Sequence, residues 1–493
     1  MAAATCDLEE PPPGRPCRTG HRPKTGDAAV LGSDVTLPLP LIPAVPLFAA
    51  MGALSTVLVN RNVSVFHDGL RPIMPSLRSG EMTRKQVSKV SFSLALAFIW
   101  AFGLPYSLGF VIPLVYLVYI ATDWIGVSLP ADLGRRWWQG RTNLAGVGGS
   151  VALGAAWGAG LALVLHYVAV GMDNLPVPLA EGTSLFTQPV VQAFFLFPVL
   201  TVAYHYGMRA GFWAFGLSTL AWFGSSGAGL ELPSMWAFGA GLLVMLVLLV
   251  RESRTAGAGA AQVPTSWMED DRSDAASPSW AVEEEDDEDT VFRENVRRIK
   301  GNLPLIVVLA ALNGAAYNWG FLAMDPYSAH LYAIGLAVPA AAVMLMWAFA
   351  FIPMKFTTAV VTGTMATGTF LEPVVALLLP SPWTAAIGVG VLRVVEVFAL
   401  LAVIGWIERW PSIREVADVM RTAIFQTMEI GFLVGGALAA AAWAGEWGVA
   451  AVVAAWFLNI RAKSPVMPMS LGAIAALGVG VVVNVMALVG LTL

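Results

Sequence analysis

The chain has 493 residues, of which 57% are hydrophobic and 12% charged, with a mean hydropathy of +0.70; these values exclude an ordinary soluble globular domain. The formal net charge of -5 comes with an acidic run from Glu283 to Asp289, so nothing points to nucleic acid. Cys6 and Cys17 both fall in the polar N-terminal tail, which excludes a disulfide or a cysteine-based metal centre from the apolar region.

Residues 1–36 are rich in Pro, Gly, Arg and Asp and read as a disordered N-terminal extension. Apolar runs of membrane-spanning character then recur at 37–59, 90–109, 110–130, 145–171, 188–208, 210–230 and 233–250. They resume at 302–323, 329–353, 356–379, 384–404, 422–443, 447–460 and 466–492. A membrane helix needs about 20 apolar residues, and on that measure there are about fourteen such runs. The expectation is an all-α polytopic membrane protein of about 12–14 transmembrane helices, with an N-terminal half at 37–250 and a C-terminal half at 301–493. Two such halves permit inverted repeats, although their sequences show no convincing match.

Residues 251–300 form an acidic linker. Within it Phe292, Val296 and Ile299 follow helical spacing beside Arg293, Arg297, Arg298 and Lys300, the pattern of a short amphipathic helix lying on an anionic inner leaflet. A second amphipathic turn follows Pro411, where Ser412 and Glu415 have capping-box spacing and Ile413, Val416 and Met420 form a stripe.

Basic residues set the orientation. Arg61, Arg71, Arg78, Arg84, Lys85 and Lys89 share one loop, and Arg135, Arg136, Arg141, Arg209, Arg251, Arg254, Lys355, Arg409, Arg414, Arg461 and Lys463 fall in loops on the same side. The opposite loops hold Asp173, Glu181, Glu231, Asp325 and Glu446. The linker is therefore cytoplasmic, and the membrane is expected to be a bacterial cytoplasmic membrane. The basic tail, with Arg15, Arg18, Arg22 and Lys24, conflicts with the even span count: either it crosses despite its charge, or the segment with Pro38, Pro40, Pro43 and Pro46 does not fully span.

Charges within a bilayer cost roughly 2.5–3.5 kcal/mol each on insertion scales, so each needs a partner or a task. Glu396 sits mid-span with Arg393 one turn earlier, either a packing ion pair or a transport site. Glu429 precedes Gly431 and Gly435 and is read as an ion site or an interhelical hydrogen bonder. Glu372 follows TTAVVTGTMATGTF, where Thr364 and Thr367 flank a glycine-containing run that can break a helix and offer backbone groups to a polar solute. Asp123 lies near a cytoplasmic helix end. Asn459, with His166, Gln192, His205, Asn313 and Asn318, reads by default as an interhelical hydrogen bonder. The loop FHDGLRPIMP carries His67, Asp68, Gly69 and Arg71 and suits a lid or a re-entrant gate. His67 and Asp68 alone are too few for a metal site, and no nucleophile, metal or phosphate-cradling motif accompanies them.

FHDGLRPIMP, ATDWIG, AFFLFPVL, GNLPLIVVLAAL, the span holding Glu396 and RWPSIREVADVMRTAIFQTMEIGFLVGG together resemble the YhfT-like bacterial membrane proteins, from about Val57 to the C-terminus. The resemblance implies a membrane transporter class without an assigned substrate. It places His67, Asp68, Gly69, Arg71, Asp123, Glu396, Glu429 and Asn459 in family-like motifs, and leaves Glu372 and the Thr-rich run least supported.

The expected function is a secondary transporter of a small polar organic solute, not an enzyme, with Glu396 or Glu429 exchanging a proton and Arg393 modulating it or holding an anion. The expected partners are the lipid bilayer, the solute and a coupling proton or sodium ion, with no cofactor; a homo-oligomer is compatible. The alternatives are an integral subunit of a phosphotransferase-like uptake system, a membrane-embedded enzyme acting on lipid, and a channel or scaffold.

Overall fold

The computed structural model describes residues 40–104, 112–131, 143–172, 195–230, 233–255, 288–333, 335–410, 412–464 and 468–491, with isolated residues between them. The extension 1–36 and most of the acidic linker lie outside the described residues.

The first half runs α1 (Leu41–Asn60), β1 (Ser64–Val65), α2 (Met74–Ser79), α3 (Arg84–Phe98), α4 (Val115–Ser128) and α5 (Leu144–Met172), then α6 (Leu196–Tyr206), α7 (Met208–Gly227) and α8 (Pro233–Thr255). The second runs α9 (Glu288–Gly301), α10 (Leu303–Asn318), α11 (Pro326–Ala333), α12 (Ala337–Thr362), β2 (Met365–Ala366), α13 (Leu371–Leu378), α14 (Pro382–Arg409), α15 (Ser412–Arg461) and α16 (Pro468–Leu488). This is an all-α polytopic membrane protein. Seven described helices are long and apolar enough to cross a bilayer, or eight if α9 and α10, bent by 61°, count as one span. The 50-residue α15 carries two of the predicted spans, parted at Gly445, whose φ of +57° suits glycine.

Two sequence expectations change here. Helix α12 runs through Pro353, which a membrane helix tolerates when neighbouring helices satisfy the freed backbone, so Lys355 is inside a helix and not in a cytoplasmic loop. The predicted span 356–379 is not continuous. Gly363 takes a left-handed φ of +61°, ending α12, and the chain is extended at β2 before the short α13.

Side-chain hydrogen bonds reveal an internal pseudo-twofold. Asn60 at the end of α1 donates to Gly126 O and Pro130 O, both at 3.0 Å, at the end of α4. Asn318 at the end of α10 donates to Ala376 O (2.9 Å) and Leu379 O (2.8 Å) at the end of α13. Each chain then reverses through a positive-φ residue, Asn62 (+55°) or Gly320 (+72°), and closes with Val63 N to Leu58 O (3.0 Å) or Phe321 N to Ala316 O (2.9 Å). Inside, Ser55 meets Thr122 at 2.7 Å where Asn313 meets Glu372 at 2.9 Å. The elements α1, α4 and α5 thus correspond to α10, α13 and α14. The two turns also exchange partners: β1 pairs in parallel with β2, and Ala323 with Leu114 just before α4. Arg61, just past α1, donates to Asn302, just before α10, at 3.1 Å. Ala323, just past α10, pairs with Leu114 at the start of α4, whose end lies beside the end of α1, so α10 runs opposite to α1 and α4. The repeats are inverted.

The seam between α1 and α5 is made of glycine. A Cβ on Gly158 would lie 1.9 Å from Phe48 O, and one on Gly154 would lie 2.4 Å from Gly52 O, so the backbones touch, as small residues allow between membrane helices. The matching seam between α10 and α14 closes on Gly314, whose added Cβ would lie 2.6 Å from Ala385 O. Asn318→Ala should destabilise by about 1–3 kcal/mol, because the Ala376 and Leu379 carbonyls lose their side-chain donor. Asn60→Ala should cost less, because Arg84 still donates to Gly126 O and Leu129 O and Pro130 is exposed; thermal unfolding in detergent measures both.

The linker helix α9 is also corrected. Its stripe of Phe292 (5% exposed), Val296 (0%) and Ile299 (0%) is buried in the protein core and not turned to a leaflet. Its polar face is engaged as well: Asn295 donates to Val360 O and Val361 O at 3.0 Å each, and Arg298 to Gly363 O at 2.5 Å. The helix docks there because the break after α12 leaves carbonyls that need donors.

Candidate functional site

The break between α12 and α13 sets up the site. An unwound segment in an apolar interior exposes carbonyls that must find donors, and Arg393 on α14 provides them. Its Nη2 donates to Ala366 O (3.1 Å) and Thr367 O (3.0 Å). Its Nε and Nη2 converge on Glu372 Oε1 at 2.7 and 2.6 Å, and Nη1 reaches Glu396 Oε2 at 3.0 Å. The guanidinium is 1% exposed and Glu372 0%. Glu372 also accepts from Asn313, which in turn accepts from Tyr119 on α4. Glu372 lies in the first turn of α13, where the helix dipole favours a carboxylate. The other oxygen of Glu396 accepts from Lys355 on α12 and, at 3.4 Å, from Thr369. Two cations and two carboxylates therefore balance inside the helices, the arrangement that buried charge requires.

Beside this network lies a cavity of about 370 Å³. It is bounded by the first repeat's turn (Phe66, His67, Asp68, Arg71), by Tyr116 at the start of α4, by Asp325 in the second repeat's turn, and by α12, α13, α14 and α15. The loop FHDGLRPIMP thus enters the protein as a buried turn at the cavity wall. His67 is 5% exposed and Arg71 3%. Gly69 N donates to His67 Nδ1 at 2.9 Å, which leaves the ring proton on Nε2, and the ring packs edge-on to Phe98 at 4.4 Å. Asp123 fixes the same turn by accepting from Phe66 N (3.0 Å) and His67 N (2.8 Å). It positions the turn and does not border the cavity.

Of the residues singled out in the sequence, Glu396, Arg393 and Glu372 meet in one network. Glu372, the least supported of the acids, is at its centre. Thr367 contributes its carbonyl to Arg393 and its hydroxyl to Ser64 at 3.1 Å, while Thr364 is fully buried and donates to Thr362 O at 3.3 Å. Arg393 thus holds two carbonyls of the broken run, Ala366 O and Thr367 O, while Ala366, Gly368 and Thr369 of the same segment border the cavity. Glu429 is half-buried on α15 and does not border the cavity. Asn459 exchanges two hydrogen bonds with the backbone of Val466, at 2.8 and 3.0 Å, and closes the turn after α15. Lys355 and Asn313 carry the site although sequence reading put one in a loop and the other among packing residues. The available signal was a lysine in an otherwise apolar run, FAFIPMKFTTAVV. Among the described residues His205, Glu252 and Glu415 also converge within 4.8 Å. With Tyr206 donating to Glu252 at 2.9 Å, they join the ends of α6, α8 and α15.

Residues 44–492 match a family described as a protein of unknown function, YhfT. The chain belongs to the YhfT family. An uncharacterized protein of Escherichia coli (strain K12), YhfT, is 28% identical over 458 residues, covering 90% of this chain and 97% of its own length. No solved structure matches. The YhfT region contains both repeats, the cavity and every residue of the charge network.

Proposed function

We propose that this YhfT-family protein is a secondary transporter that moves a small polar organic solute across the bacterial cytoplasmic membrane, coupled to a proton or sodium gradient. The observation that supports this best is the position of the cavity. It lies between two inverted repeats, walled by both of their turns, and Lys355 and Glu396 of the buried charge network line it. Inverted repeats with broken helices around a central site are the construction that allows one bundle to rock against the other and expose the site to each side in turn. The pair between Lys355 and Glu396 is the part of the network that a solute or an ion can reach, since Lys355 is 15% exposed whereas Arg393 and Glu372 are sealed. The test is uptake into proteoliposomes of labelled organic acids, amino acids and sugars, with and without a proton or sodium gradient. Gradient-driven accumulation of at least one solute is expected. No accumulation of any, with accumulation restored by a soluble partner, would favour a subunit of a phosphotransferase-like system.

A further inference from the structure

Resting on the transporter reading, we infer that the cavity's ligand is a small organic anion with a flat apolar body, its charged head held by Arg71 and Arg421. The carboxylates bordering the cavity each have a cationic or N–H neighbour. Asp68 pairs with Arg71 Nη2, Glu396 with Lys355 and Arg393, and Asp325 accepts from Ser328 N at 3.3 Å. The guanidinium groups keep N–H groups to spare after their own pairings with Asp68 and Asp418. Arg71 Nε and Nη1 and Arg421 Nε are buried and have no hydrogen-bond partner among the described residues. Both arginines border the cavity; their unpaired N–H groups are closed to solvent behind its wall, so binding requires each guanidinium to turn towards the incoming head. A buried N–H without an acceptor is destabilising, and an incoming anion would relieve that through charge-assisted bonds. Arg421 is pre-set for this: Asp418 at 2.6 Å and Thr358 at 3.2 Å hold its Nη1 and Nη2, leaving Nε over. His67 Nε2–H adds a third donor on the same wall.

The rest of the cavity excludes a bare inorganic ion as the best fit. Trp347, Phe351 and Phe370 form an aromatic wall, with Phe351 and Phe370 stacked at 5.0 Å and 21°. Such faces gain from covering an apolar, planar body. A volume of about 370 Å³ lies within the range of small-molecule sites.

The test is binding to the full-length protein in detergent, read by tryptophan fluorescence and thermal unfolding. The probes are benzoate and phenylphosphonate, with benzamide and benzylammonium as neutral and cationic counterparts and phosphate as a head without a body. At least one aromatic anion should bind about tenfold or more tighter than benzamide, benzylammonium and phosphate, and Arg71→Gln and Arg421→Gln should each weaken it about tenfold or more. Arg421, with 17% of its side chain exposed, is the safer substitution and decides the matter if Arg71→Gln does not fold. Equal binding of benzamide or benzylammonium, binding of the anions unchanged in Arg421→Gln, or binding of no probe would overturn the proposal. Binding without gradient-driven uptake of labelled phenylphosphonate would reject transport and leave the anion site standing. Gradient-driven uptake of a neutral solute, indifferent to both substitutions, would do the reverse.

Discussion

Replacing Arg393 with alanine should destabilise the protein by about 3–5 kcal/mol, because removing one partner leaves opposite charge buried and uncompensated. The loss is compound. Glu372 would keep only Asn313, Glu396 would keep Lys355 and Thr369, and the carbonyls of Ala366 and Thr367 would lose their donor. Arg393→Lys should rescue little, since an ammonium lacks the planar fork that reaches a carboxylate and two carbonyls together. Thermal unfolding of the detergent-solubilised variants measures both. A midpoint for Arg393→Ala equal to that of the parent would mean that the network does not hold the broken segment.

The second large effect is expected in transport. Lys355→Met and Glu396→Gln should each sharply reduce gradient-driven uptake while costing less stability than Arg393→Ala, because Arg393 and Glu372 remain paired beneath them. Each single change leaves its partner's charge unbalanced at the cavity, so the double variant should be less impaired than the sum of the singles. Coupling between residues in contact is typically about 0.5–3 kcal/mol. Uptake and unfolding measured on the same four proteins separate the effects: unaffected uptake in Glu396→Gln would reduce the pair to a packing contact.

Hydropathy made the all-helical membrane class, the two halves and the pair of Glu396 with Arg393 legible in the sequence, because these depend on local composition and on spacing within one helix. The repeat was not legible. Of the residues that perform equivalent roles, Asn60 and Asn318 are identical, whereas Ser55 corresponds to Asn313, Asn62 to Gly320 and His67 to Asp325. What the repeats share is the backbone path and its hydrogen bonds, which many side chains permit. Lys355 was misplaced because it falls between two apolar runs, 329–353 and 356–379, and only neighbouring helices make Pro353 tolerable within one continuous helix. Glu372 was undervalued for a related reason: its partners come from α10 and α14, and nothing in its own segment announces them. Glu429 shows the converse. It stands out as an acid among apolar residues, yet it is not among the residues that border the cavity, although Phe425 one turn earlier and Met428 are.

The most direct test of alternating exposure needs no knowledge of the solute. Cys6 and Cys17, the two native cysteines, can be replaced by serine, and Ala399→Cys then places a single thiol at the cavity wall on α14. Modification by a membrane-impermeant thiol reagent is measured in right-side-out and in inside-out vesicles. The account predicts labelling from both sides; labelling from one side alone under every condition, or from neither, would contradict it.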